Sequence, residues 1–294
     1  MRQNVHMKRP SFALLSIAAI LAATAACNKQ GDYQPVERDK QYDSVISLSP
    51  GTTEIIAGNT ASRVLSARSA ACNYPPMIRN LPVVVENTTP DYEKIVEIQP
   101  DLIVYDADLF SDQEIGKLED LGFETLALDA DNMEDYLDFV TRLGSLLGIE
   151  ATISNYKDKI TGTIESANAN VNTPLRLTVM LGEVDTALVA GTNSLQSVLI
   201  DLAGGIPTGP ESNRFEPVNL ESLIAMDPEM IITDGNAVEI LKDPRLANVS
   251  AVKSGFVYNV DGDVLSRRGK RLPQFIESVG TLIETRPVAE VGNE

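Results

Sequence analysis

Apolar positions in this chain follow two spacings, and their alternation predicts an α/β protein. Val45-Ile46-Ser47-Leu48 is a continuous apolar run suited to a buried strand. It leads through Ser49-Pro50-Gly51-Thr52-Thr53-Glu54 into a helix start at Ile55-Ile56. Tyr92 to Val104 reads as a short helix, a Pro100-Asp101 break and a strand, and Leu220 to Ile232 repeats that layout around Asp227-Pro228. The shared plan predicts two related α/β lobes. Between the halves, Met133 to Leu147 carries Leu137, Val140, Leu143 and Leu147 at helical spacing. Glu150 to about Val171 carries Ile153, Tyr156, Ile160 and Ile164 before the stop at Asn172-Thr173-Pro174. A helix of roughly 20 residues spans about 30 Å and can bridge two lobes as a stiff spine.

The amino terminus has another pattern. Arg2, Lys8 and Arg9 precede an apolar stretch from Phe12 to Ala26, which ends in Thr24-Ala25-Ala26 and meets Cys27 at the edge of a polar segment. A basic start, an apolar core and small residues before a cut are the parts of an export signal. With Cys27 directly behind them they resemble a bacterial lipoprotein signal, although Thr24 stands where the usual lipobox has an aliphatic residue. The resemblance implies lipidation of Cys27, loss of residues 1–26 and a mature protein anchored to the cell membrane on its extracytoplasmic side. An uncleaved anchor is the alternative, but about 15 apolar residues fall short of the roughly 20 that span hydrocarbon. Asn28 to Gln41, with Gly, Pro and mixed charges, predicts a flexible tether. The expected organisation is a signal over 1–26, a tether over 27–41, a first lobe over 42–149, a bridging helix over 150–172 and a second lobe over 173–290.

Charge narrows the partners. Removing the signal takes three basic and no acidic residues, leaving 21 Lys plus Arg against 42 Asp plus Glu, near −21. Such a surface repels nucleic acid and anionic headgroups, so the membrane is reached through the lipid and no nucleic-acid partner is expected. Histidine removes further options: the only one, His6, lies in the signal, so the mature chain has no imidazole for a zinc site, a Ser-His triad or a haem ligand. Lipidation of Cys27 leaves Cys72 without a disulfide partner. No Gly-x-Ser-x-Gly nucleophile motif occurs, and no enzymatic activity is expected.

Several motifs are recognisable in order along the chain. They are Val45-Ile46-Ser47-Leu48-Ser49-Pro50 with Thr53-Glu54-Ile55, Cys72-Asn73-Tyr74-Pro75-Pro76, the two Glu-containing breaks above, Leu202-Ala203-Gly204-Gly205 and Arg267-Arg268-Gly269-Lys270-Arg271. Together, over roughly Tyr42 to Ile283, the chain resembles the periplasmic-binding-protein family that delivers cobalamin and ferric siderophores to ABC importers. The resemblance implies two Rossmann-like α/β lobes joined by a single long helix, with a ligand cleft between them and small closure on binding. It implies a monomer with an ABC permease as partner, and a small-molecule metal chelate as cargo rather than a resident cofactor or a protein metal site.

Residue by residue, Glu93 and Glu221 match the acidic positions, one per lobe, that dock on permease arginines; a single exposed Glu is otherwise solvated surface. Cleft candidates are Ser49, Pro50 and Thr52, whose alternative role is helix capping, with Tyr74, held by Pro75-Pro76, and Asp106. Asp108 also follows that strand. In the second lobe they are Phe215, which can equally be a core ring, Asp234, Arg267 and Arg271. The cation cluster Arg267, Arg268, Lys270 and Arg271 suits a phosphate or carboxylate, or pairing with the protein's own acids. Cys72-Asn73-Tyr74-Pro75-Pro76 favours a corrinoid slightly over a ferric siderophore, against which stands the absence of any Trp. A lipoprotein sensor or scaffold of the same fold, and an exported enzyme, are the other classes.

Overall fold

The computed structural model describes residues 42–286 with the exception of 170 and 172. The expected signal, the tether with Cys27 and the residues after 286 lie outside the described residues. No helix among the described residues is long and apolar enough to cross a membrane.

The first lobe is built from β1 (Val45–Ser47), α1 (Pro50–Ile56), β2 (Leu65–Ser69), β3 (Val83–Glu86), β4 (Thr89–Pro90), α2 (Tyr92–Ile98), β5 (Leu102–Asp106), α3 (Asp112–Asp120) and β6 (Thr125–Leu128). Its sheet has the order β4-β3-β2-β1-β5-β6, parallel except for the β3–β4 hairpin. After α4 (Met133–Leu146) and α5 (Glu150–Ala169), the second lobe adds β7 (Arg176–Leu181), β8 (Leu188–Ala190), α6 (Leu195–Leu202), β9 (Ile206–Pro207), β10 (Phe215–Pro217), α7 (Leu220–Met226) and β11 (Met230–Thr233). It closes with α8 (Ala237–Lys242), α9 (Ser250–Ser254), β12 (Val257–Asn259), α10 (Gly262–Ser266) and α11 (Leu272–Thr285). Its strand order is β10-β8-β7-β11-β12, and β8 and β9 share the edge of β7 that β11 leaves open. The central strands β1 and β11 are buried throughout, as strands covered on both faces must be.

The sequence repeat is a structural repeat. Asp91 and Asn219 cap α2 and α7 by accepting from the backbone N–H of Lys94 and Ser222. Both helices stop at a residue in the left-handed region, Gln99 (φ 51°) and Asp227 (φ 42°), followed by a proline that cannot continue them. The acidic residue after each proline then binds the start of the neighbouring strand. Asp101 accepts from Asp43 and Ser44, and Glu229 accepts from Arg176, at 2.8–3.0 Å.

The long helix α5 does not stand alone. The last helix, α11, lies along it, and one apolar core runs through both lobes, from Val45 and Ile55 through Tyr156, Phe275 and Val279 to Leu177 and Ile232. Gly280 sets the separation of the two helices, since a Cβ there would lie 2.7 Å from the Cβ of Ala167. Gly280→Leu is therefore expected to destabilise by about 1–3 kcal/mol through overpacking, measured by urea unfolding; an unchanged midpoint would contradict this packing.

Candidate functional site

A cavity of about 490 Å³ opens between the lobes at the carboxyl edges of both sheets. Pro50 and Gly51 at the start of α1, Ala71, Thr88, Asp106 at the end of β5, and Asp108 and Leu109 after it form its first-lobe wall. Leu181, Leu195, Gln196, Asn213, Arg214 and Phe215 form the second. Asp263, Ser266, Arg267 and Arg268 come from the segment that returns to α11. Such crevices arise where parallel strands end and their connections diverge. The lining mixes leucines and a phenylalanine with amides, and its charges balance: Asp106, Asp108 and Asp263 against Arg214, Arg267 and Arg268. No His, Tyr, Met or Cys is among these lining residues.

The cation cluster forms the floor. Glu54 is fully buried and takes Arg267 at 3.1 Å and Arg271 at 2.7 Å. Arg267 also meets Asp263 at 2.5 Å and donates to Asn73 at 2.7 Å, while Asn73 donates to Asp263 at 3.0 Å. Arg268, almost fully buried, forks onto Asp106, meets Asp108 at 3.0 Å and donates to the Ala130 carbonyl at 3.0 Å. Burial opposes the Arg268 charge, yet the fields of Asp106 and Asp108 and the Asp106 hydrogen bond hold its pKa above the ordinary value. Burial pushes the Asp108 carboxyl up, against the pull of Arg268.

The 267–271 loop reaches this depth because two glycines let it. A Cβ on Gly51 would touch the Arg268 carbonyl at 3.0 Å, and one on Gly269 would lie 2.7 Å from Glu54 Oε2. Beneath the loop, Tyr156 on α5 and Tyr136 on α4 donate to the Gly269 carbonyl at 2.7 and 3.3 Å. Burial raises both phenol pKa values, so both stay neutral donors. Thus the segment from the second half of the chain is bonded to the first lobe and to the helical spine. At the rim, Asn213 donates across the cleft to Asp131 at 2.9 Å.

Of the expected cleft residues, Pro50, Asp106, Phe215 and Arg267 line the cavity together. Ser49 and Thr52 are fully buried and do not line it; their hydroxyls bond each other at 2.6 Å, and Thr52 also meets Ser47 at 2.7 Å. Tyr74 is part-exposed outside the cavity, its ring stacked under Arg271 at 4.8 Å. Arg271 does not line the cavity, being spent on Glu54. Asp234 accepts from the Gly182 backbone at 2.7 Å and holds the β7 and β11 loops together. Glu93 and Glu221 are exposed, at the same position of α2 and α7, and neither side chain has a hydrogen-bond or ion-pair partner among the described residues.

Sequence reasoning missed Glu54 as the buried counter-charge, Asp263, the Asn213–Arg214 pair and Arg68. Arg68 is buried and donates to the carbonyls of Ser69, Cys72 and Arg79 at 2.8–3.1 Å, tying down the loop that carries Ala71 and Tyr74. Gly51 and Gly269, at the two segments that meet, were a hint of close backbone approach but do not single out Glu54 among 42 acids.

Two α/β lobes, a helical spine and a cleft at the carboxyl edges of both sheets define a bilobal ligand-binding protein. The family model described as periplasmic binding protein matches residues 45–264, and the chain belongs to that family. A vitamin B12-binding protein of Vibrio cholerae serotype O1 is 26% identical over 250 residues, 82% of this chain and 89% of the relative. The crystal structure of the periplasmic vitamin B12 binding protein BtuF of Vibrio cholerae matches with a TM-score of 0.74 at 24% identity, over 83% of this chain and 97% of that one. The periplasmic heme-binding protein RhuT from Roseiflexus sp. RS-1, in apo form, matches with a TM-score of 0.67 at 22% identity, over 83% and 98%. At these identities the structural likeness is one of fold.

Proposed function

We propose that this protein is the extracytoplasmic substrate-binding component of an ABC importer, tethered through lipidated Cys27. It captures a corrinoid between its lobes and presents it to a membrane permease through Glu93 and Glu221. The observation that carries the cargo assignment is the charge balance of the cleft. On a mature chain near −21, three carboxylates face three guanidiniums beside amides and apolar side chains. This suits a large, amide-bearing ligand of low net charge better than a highly anionic chelate, whose desolvation needs uncompensated cations. The vitamin B12-binding relative supports the same reading. Haem finds no axial ligand among the described lining side chains.

A second reading rests on Arg214. It lines the cleft within the field of Asp108, its guanidinium making no hydrogen bond or close ion pair among the described residues, and favours a carboxylate-bearing ferric siderophore. Size-exclusion of the purified protein with cyanocobalamin and with ferric siderophores, scored by visible absorbance, separates the two. Cyanocobalamin is expected to co-elute, and Phe215→Ala is expected to weaken its binding about tenfold or more. Co-elution of a siderophore alone transfers the function to the second reading; co-elution of neither removes both cargoes.

A further inference from the structure

Nine large apolar side chains are exposed in the described structure, and two of them occupy the same place in the internal repeat. Val96 (40% exposed) lies three residues after Glu93 on α2, and Ile224 (37%) lies three residues after Glu221 on α7. Residues three apart share a helix face, so each lobe displays a carboxylate beside an aliphatic side chain. A single exposed aliphatic residue is ordinary on any protein surface. Here the exposure is duplicated while neighbouring positions diverge: Lys94 is matched by Ser222, and Glu97 by Ala225. The buried partners at the intervening position, Ile95 and Leu223, satisfy each helix's need for a core anchor. Val96 and Ile224 belong to neither the buried cores nor the apolar side chains packed against them.

Topology gives both patches the same outlook. Each helix runs back toward the start of the next parallel strand, so its first turn lies toward the carboxyl half of its sheet; α7 starts after β10, and α2 starts one short antiparallel strand past the Thr88 turn that lines the cleft. Lys94 is held by Asp91 at 3.0 Å, which leaves the Glu93 charge without a neighbouring counter-ion.

We infer that Val96 and Ile224 are contact residues for the importer's membrane subunits, which present twice a cation beside an apolar surface. This inference rests on the proposed docking function and extends it: the carboxylates orient the encounter, and the aliphatic side chains supply desolvated contact that slows release. The expectation is that substituting both aliphatic positions shortens the complex's lifetime without altering the charge-steered approach.

The test is photocrosslinking of the full-length chain in its own cells. Benzoylphenylalanine is placed at 96, at 224, at 93, at 221, or at Val238, which is 54% exposed and outside the repeat. Positions 96 and 224 are expected to crosslink to an integral membrane subunit, identified by mass spectrometry, and 238 is not. Val96→Ser with Ile224→Ser is expected to lower the yield from position 93 about tenfold, with the thermal midpoint lowered by only a few degrees. Membrane-subunit adducts from 93 and 221 but none from 96 and 224 overturn the inference and leave the docking proposal standing. Adducts from none of the four positions overturn both. Equal yield from 238 shows non-specific proximity and also overturns it.

Discussion

Glu54→Gln is expected to destabilise the protein by roughly 3–5 kcal/mol, visible as a fall of about 10 °C in the thermal midpoint. The carboxylate is fully buried between the guanidiniums of Arg267 and Arg271, and the amide that replaces it cannot neutralise either. Asp263 still faces both arginines, at 2.5 and 3.5 Å, which places the effect toward the lower end of that range. Arg271→Gln in the Glu54→Gln background is expected to cost less than in the native chain, since residues in one ionic network are not additive. Cargo affinity should fall as well, because Arg267 lines the cleft and Glu54 fixes it there. Independent, additive losses from Glu54→Gln and Arg271→Gln would show that the pair is not coupled and that the floor is held by something else.

What the sequence revealed and concealed follows from the range of the interactions. The helix–proline–strand repeat was legible because its parts are local: a capping Asp or Asn, a left-handed stop, and a proline two residues before the strand. The spine was legible because Ile153, Tyr156 and Ile160 keep helical spacing, and all three are buried. The structure places α11 beside that spine, a contact between helices more than a hundred residues apart that no local period encodes. The site was less legible for the same reason. Arg267 reaches Glu54 across 213 residues, and nothing in a chain with 42 acids marks one as its partner. Both readings of the cluster, ligand site or internal pairing, were open from charge alone; Arg267 serves in both places, while Arg271 is spent on Glu54. Ser49 and Thr52 illustrate a second limit. Hydroxyls at a helix start suit a ligand or a cap equally, and here they bond each other beneath the cleft.

Buried pairing also separates the two kinds of acid in this chain. Glu54 and Asp106 are enclosed by arginines and shape the cleft; Glu93 and Glu221 are exposed and free of partners among the described residues. The second kind can be altered without disturbing the fold, so it offers a clean test of transport.

Glu93→Arg with Glu221→Arg is expected to reduce cargo uptake by cells about a hundredfold, while cargo affinity of the purified protein stays unchanged and its thermal midpoint falls by only a few degrees. Both positions are exposed but lie in the first turn of their helices, where reversing an acidic charge costs about 0.3–1 kcal/mol each through the helix dipole. Opposing like charges at an interface costs several kcal/mol, enough for a loss of this size. The double variant leaves the mature chain near −17, so solubility and general electrostatics are preserved. Each single variant should retain intermediate uptake, because one lobe can still engage while the lipid tether keeps the protein close to the permease. That residual uptake should fall with rising ionic strength, since the remaining exposed charge is screened. Native uptake in the double variant, with cargo still bound by the purified protein, would mean that delivery does not run through these carboxylates and that the permease reads another surface.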